Sequence, residues 1–284
     1  DWDNLRYHLG PGTAVSNLYP REHARAVYEG LQGEGETEIL TLNRSAWAGS
    51  QRFATAVWSG DVDSTFEALA NQVAAGLNIG LSGIPWWTTD IGGFHNGDPR
   101  TPYFQELIVR WFQYGLFCPL FRLHGFRDPK EGDWWDGAWD GDFRTISGGP
   151  NEVWSFGETA YAIIKDLLFL RERLRPYLHQ QMQIASETGL PPMRPLFVDF
   201  PADETSWTVE DQFMLGADLL VAPVVAQGVT ERRVYLPVGA RWVDPWRETV
   251  HDGGQWLVVP APLAQIPYFV REHTAVFANH PQAM

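Results

Sequence analysis

Between residues 36 and 190 the chain switches repeatedly between two hydrophobic periods, and this switching constrains its fold more than any other feature. "EILTLNRS" and "ATAVW" are short apolar runs of strand type. After the second, a loop leads into a helical pattern with Phe66, Leu69, Val73 and Leu77 on one face. Ser64, with Glu67 three residues on, predicts a capping box at its start. "LSGIPWW" predicts the next strand. Thr101-Pro102 opens another helix, with Leu107, Ile108, Trp111 and Phe112 along one side and proline suited to its first turn. "CPLFRLHG" predicts a further buried strand. A long helix then runs from about Ser155, where Ser155 and Glu158 repeat the capping-box signature, with a bend expected near Pro176 and a stop at Gly189. Strands alternating with helices imply a parallel sheet covered by helices. In a (β/α) barrel the polar, glycine-rich stretches after the strands form the functional rim. About four strands can be counted, which predicts the second half of a (β/α)8 TIM barrel over residues 1–190.

After "GLPPMRP" the pattern changes. "LLVAPVV", "RRVYLPV", "RWVDPW", "WLVVPAP" and "IPYFVRE" are short strands separated by glycine and proline turns. They predict an antiparallel β-sandwich domain over residues 191–284. The acidic, aromatic stretch "KEGDWWDGAWDGDFRTISGGPNE" reads as an insertion on the rim.

Composition narrows the range of functions. With 44% hydrophobic residues in 284, the chain can bury a large core. A net charge of −14 and a pI near 4.9 exclude nucleic acid and anionic membrane surfaces, which select clustered Lys and Arg. Apolar runs are short and interrupted, so no membrane span is expected. The single cysteine, Cys118 in "LFCPLF", reads as a small core residue. The chain opens on "DWDNLRYHLG" without an initiator Met and reads as an excised piece, which leaves its compartment unknown. The unusual count is 14 Trp beside 16 Phe and 9 Tyr. Large rings build cores, but they also make flat platforms for sugar rings, and several stand next to carboxylates in "PWWTTD" and "GDWWDGAWDGD".

The polar groups at the strand ends carry the chemistry. Asp61 in "VWSGD" follows one strand, and the bland reading is a loop aspartate capping a turn. Arg44 in "LNRS" ends the strand before, Asp90 in "WWTTD" the strand after, and His124 in "RLHG" the next. One polar group at each of four successive ends on a shared rim is more than turn chemistry requires. Asp63 reads as an aid to starting the helix after Asp61. His8, His95 and His124 lack metal-ligand spacing, and "GLSG" lacks a phosphate-binding fingerprint. Asp133, Asp136, Asp140 and Asp142 read as a solvated acidic loop rather than a calcium site, so no cofactor is expected.

"LNRSAWAGSQRF", "VWSGD", "PWWTTDIGGF" and "FRLHG", in this order, resemble glycoside hydrolase family 31, which includes α-glucosidases and α-xylosidases. "DQFMLGADLLVAPV" extends the resemblance into the β-domain. It implies a retaining enzyme in which Asp61 is the general acid/base, protonating the glycosidic oxygen and then deprotonating the attacking water. A neighbouring ring, here Trp58, and a second carboxylate are the ordinary means of keeping such an acid protonated. The resemblance further implies that Arg44 holds a substrate hydroxyl and the local carboxylates. Asp90 and His124 would bind the hydroxyls of the sugar in subsite −1, and Trp58, Trp87 and Phe94 would wall the pocket. The substrate implied is an α-linked oligosaccharide cleaved at terminal glucosyl residues, with α-xylosidase activity or carbohydrate binding without cleavage as alternatives. The family's nucleophile lies on the strand before this chain's first residues; Asp1 and Asp3 do not match its motif. The isolated chain is therefore expected to be inactive. Its open sheet edges call for partners: the N-terminal half of the barrel first, a homo-oligomer otherwise.

Overall fold

A computed structural model of the chain describes residues 3–131 and 147–276. Three short strands, β1 (Thr41–Asn43), β2 (Thr55–Trp58) and β3 (Trp87–Thr88), form a parallel sheet in that order. The helices packed along it are α1 (Leu18–Gly33), α2 (Phe66–Leu81), α3 (Pro102–Leu116) and α4 (Glu158–Thr188). Parallel strands joined through helices are the second half of a TIM barrel. The acidic stretch expected on the rim lies largely outside the described residues, and Asp133, Asp136, Asp140 and Asp142 with it.

The helices start and stop for local reasons, not always where the sequence predicts. Thr65, not Ser64, caps α2: its backbone is extended (φ −135°, ψ 155°) and its hydroxyl accepts the Ala68 N–H at 3.0 Å. Thr101 caps α3 in the same way, with Pro102 at the first helical position as expected. At α4 the expected capping box is absent. The Ser155 hydroxyl donates to Glu152 Oε2 at 3.0 Å within a 3-10 turn, Val153–Phe156, and Gly157 (φ 89°) leads into the helix. Pro176 is accommodated inside α4, and Gly189, at φ 78°, ends it in the left-handed region that favours glycine.

Two predicted strands contract. "LSGIPWW" reduces to Trp87–Thr88, because α2 runs to Leu81 and a turn follows. "CPLFRLHG" is not a strand; it meets the sheet at one parallel bridge, Leu123 to Ile91. Cys118 is fully buried, and desolvation raises its thiol pKa to about 12, which suits a core residue.

Beyond α4 lie β4 (Met193–Arg194), β5 (Phe213–Leu215), β6 (Leu219–Val221), β7 (Glu231–Leu236), β8 (Arg241–Asp244), β9 (Thr249–Asp252), β10 (Gln255–Pro260) and β11 (Tyr268–Arg271). They form a six-stranded antiparallel sheet, β9-β8-β11-β6-β5-β4, faced by the β7–β10 pair. Alternation along the central strands serves two cores at once. Phe213, Leu215, Leu219, Val221 and Tyr268 pack with the helices α2, α3 and α4. Met214, Leu220 and Phe269, on the other face, pack with Val234, Leu236 and Trp242 in the sandwich interior. The central sheet is thus the wall shared by barrel and sandwich.

Candidate active site on the barrel rim

Parallel strands deliver their C-terminal ends to one edge, and the polar residues expected there arrive together. Arg44 follows the last residue of β1, Asp61 lies three residues past β2, and Asp90 two past β3. His124 comes in beside the Leu123 bridge. The chain turns after β2 at Gly60, whose φ of 82° favours glycine. That turn sets the Asp61 carboxylate against Arg44, whose Nη1 donates to Asp61 Oδ2 at 2.8 Å. Both are solvent-facing, with side chains 63% and 30% exposed, so their attraction is screened by water.

Asp90 is the opposite case. Its side chain is fully buried, and one oxygen, Oδ1, accepts a short hydrogen bond from Arg122 Nη2. Burial pushes the Asp90 carboxyl above the usual carboxylate range; the Arg122 guanidinium and the neighbouring His124 ring pull it back, and Asp61 adds to the rise. Those couplings place Asp61, Asp90, Arg122 and His124 in one electrostatic neighbourhood. The Arg122 guanidinium also lies 5.7 Å from the Trp58 ring centroid. Phe94 is half-buried, with its ring 5.4 Å from His124 and 4.7 Å from His95.

Trp87 is placed elsewhere. It pairs with Val57 across β2 and β3, whereas Trp58 pairs with Thr88, so the two tryptophans project from opposite faces of the sheet. Trp87 points into the core under α3, where its Nε1 donates to the Tyr114 hydroxyl at 3.2 Å. The expectation that it walls the pocket is corrected on that ground: an aromatic beside a carboxylate in sequence lies on the other face when the strand alternates. Asp63 caps no helix; it accepts from Asn96 Nδ2 at 2.9 Å. Arg122 went unassigned in the sequence. The available signal was its spacing, two residues before His124 in an extended segment, which puts both on one face.

Four buried polar atoms at this rim have no hydrogen-bond partner among the described residues: Trp58 Nε1, Ser59 Oγ, Asp90 Oδ2 and Arg122 Nε. Buried polar atoms are ordinarily paired. An acceptor and three potential donors in one neighbourhood suit a ligand rich in hydroxyl groups, and the exposed Asp61 carboxylate lies on the same rim. Among the described residues no group of three or more His, Cys, Asp or Glu side chains is arranged to hold a metal ion.

Comparison with known proteins identifies the scaffold. Residues 2–181 match the glycosyl hydrolases family 31 TIM-barrel domain, and residues 189–276 match the glycosyl hydrolase family 31 C-terminal domain. A GH31 α-xylosidase from a soil metagenome, solved with xylose, is 55% identical with a TM-score of 0.93, over 98% of this chain and 41% of that one. An α-xylosidase of Saccharolobus solfataricus is 37% identical over 93% of this chain and 33% of its own length. An α-glucosidase of Bacillus thermoamyloliquefaciens is 36% identical over 92% of this chain and 30% of its own. The chain therefore spans about a third of the length of these two curated relatives. Two family models in the expected order, and relatives aligned across both domains, establish that the chain belongs to glycoside hydrolase family 31.

Proposed function

We propose that this chain supplies the acid/base side of the active site of a retaining, exo-acting α-glycosidase, and that its substrate is a terminal α-xylosyl residue of an oligosaccharide. The observation that carries the reading is the rim itself: a solvent-accessible carboxylate, Asp61, beside buried polar atoms on Asp90, Trp58 and Arg122 that have no partner among the described residues. In the first step Asp61 gives its proton to the glycosidic oxygen as the bond from that oxygen to the anomeric carbon breaks. A second carboxylate, contributed by the N-terminal half of the barrel, bonds to the anomeric carbon. In the second step Asp61 takes a proton from water, and the water oxygen displaces that carboxylate. Arg44 orients Asp61 through the 2.8 Å contact, and Asp90 and His124 bind sugar hydroxyls.

Xylose is favoured over glucose by the 55% identity to an α-xylosidase solved with that sugar. The α-glucosidase reading stands second, supported by the relative from Bacillus thermoamyloliquefaciens. The test joins this chain to the N-terminal barrel half of a close relative and assays activated α-xyloside and α-glucoside. Hydrolysis of the xyloside with retention at the anomeric carbon is expected. Preferential hydrolysis of the glucoside would select the second reading. A folded protein that binds oligosaccharide and cleaves neither would replace both with the carbohydrate-binding alternative.

A further inference from the structure

Behind the rim lies a side chain for which the reaction scheme has no use. Arg127 is fully buried, and its guanidinium is spent almost entirely on backbone carbonyls. Nη2 donates to Ile91 O at 2.8 Å and to His124 O at 3.3 Å; Nη1 donates to Gly93 O at 2.6 Å, with longer contacts to Gly92 O and Ser64 Oγ, both at 3.4 Å. Nε donates to Asn151 Oδ1 at 2.7 Å, and the plane lies 4.8 Å from the Phe104 ring centroid. Ile91 to Gly93 immediately follow Asp90, His124 is itself a rim residue, and Ser64 belongs to the loop that carries Asp61. One cation therefore touches the loops that carry Asp61, Asp90 and His124.

The surrounding sequence makes room for it. A methyl group on Gly125 would overlap the guanidinium, one on Gly92 would lie 2.8 Å from Nη2, and one on Gly97 would lie 3.0 Å from Nη1. The same loops are cross-tied by backbone bonds: Phe94 N and His95 N to Val62 O, Ser64 N to His95 O, Phe126 N to Phe94 O, and Asp128 N to Gly97 O. Burying a charge costs several kcal/mol unless it is fully hydrogen-bonded. A guanidinium, with its planar fork of five N–H donors, can satisfy that requirement against several carbonyls at once, which an ammonium cannot.

We infer that Arg127 is a positioning residue, a clamp that fixes the Asp90, His124 and Asp61 loops relative to one another so that the three side chains address one sugar. The inference rests on the function proposed above for its kinetic readout, but the clamp has a readout of its own.

Two variants of the protein joined to its N-terminal barrel half test it. Arg127→Lys keeps the charge and loses the fork. Gly125→Ala keeps Arg127 and displaces its guanidinium, at a glycine outside the left-handed region. In both, hydrogen exchange at the amides of Ser64, Phe94, His95, Phe126 and Asp128 is expected to quicken at least about tenfold while β5 and β6 stay protected. kcat is expected to fall about 100-fold with KM near its parent value, since displacement of about 1 Å at a reacting group has that effect. Unchanged kcat and exchange in a folded variant would overturn the clamp. So would a kcat loss accompanied by equal loosening of β5 and β6, which marks general destabilisation. If the parent protein cleaves neither glycoside, the proposed function fails, and the exchange pattern alone still decides whether Arg127 holds the loops.

Discussion

Asp61 and Asp90 are chemically the same group placed in two environments. Asp61 shows 30% of its side chain to solvent and, among the described residues, forms an ion pair with Arg44. Asp90 is buried, with an arginine on one oxygen and no hydrogen-bond partner on the other among the described residues. In the function proposed above, the exposed carboxylate is the one that transfers the proton and the buried one the one that binds a sugar hydroxyl. Asp61→Asn in the joined enzyme should lower kcat/KM on an α-linked disaccharide by about 10²–10⁴-fold, the usual contribution of general acid–base catalysis. An aryl glycoside with a good leaving group should lose much less in its first step, because that departure needs no proton. Steady-state and burst kinetics on the two substrate types check this, and equal losses would remove Asp61 from the acid role.

At the scale of the elements, buried carboxylates also hold segments together. Asp203 sits before a 3-10 turn, Glu204–Trp207, and its carboxylate accepts from the Tyr235 hydroxyl at 2.8 Å, Val238 N at 2.9 Å and Thr205 N at 3.1 Å. Burial alone would raise its pKa, but these donors outweigh that effect and hold it below the usual range. A folded-state pKa below the unfolded value gives stability that is complete above the unfolded pKa and disappears as pH falls through the folded one. Asp203→Asn should therefore cost about 1–3 kcal/mol at neutral pH, as the hydrogen bonds to the charged group weaken. The gap from the parent should close as pH drops below about 4, near the ordinary aspartate value. Urea unfolding at a series of pH values measures it; a pH-independent gap would show that the charge is not what matters. Such ties are also where sequence reading reaches its limit. The period of α2 and α3, the glycine stop of α4 and the antiparallel domain are local patterns, and they read correctly. Ser64 and Thr65 are equally good caps on paper; in the fold Ser64 N is bonded to His95 O at 2.9 Å, and Thr65 is the residue whose hydroxyl meets the helix N-terminus. "CPLFRLHG" has strand composition, but strand pairing depends on distant neighbours, and only Leu123 finds one in Ile91. The family motifs located the rim residues, whereas Arg122 and Arg127 act through contacts 30 or more residues away, which spacing does not report.

Across the whole molecule, one question is what makes barrel and sandwich a single body. The apolar face of the shared sheet is part of the answer, and Arg110 on α3 is the polar part. It is buried, and its two terminal nitrogens donate to Ala261 O at 2.8 Å, Val229 O at 3.0 Å, Gln265 O at 3.1 Å and Pro262 O at 3.3 Å, with Gln113 Oε1 at 3.1 Å as the contact within the helix. Gln113 Nε2 adds a bond to Leu263 O at 2.7 Å, and Glu106 Oε1 accepts Gly228 N at 2.8 Å. One face of α3 is thus fastened to two loops of the β-domain, before β7 and after β10. Burial lowers the Arg110 pKa to about 10, which leaves the guanidinium charged at neutral pH. Methionine at this position would fill much of the same volume and take the Arg110 donor from Ala261 O, Val229 O and Gln265 O, while Pro262 O keeps its bond from Gln265 N at 2.8 Å. Unsatisfied buried acceptors cost about 1–3 kcal/mol each where water cannot reach them, and effects in one network are not additive. Arg110→Met should therefore destabilise the protein by about 3–5 kcal/mol, the range for breaking a buried charged network. More tellingly, the loss should fall on the coupling between domains: a parent that unfolds in one calorimetric transition should separate into two, the β-domain melting first. A single transition displaced by less than about 0.5 kcal/mol, the usual span for changes away from such networks, would mean that the apolar wall alone joins the domains and that the Arg110 bonds add nothing to it.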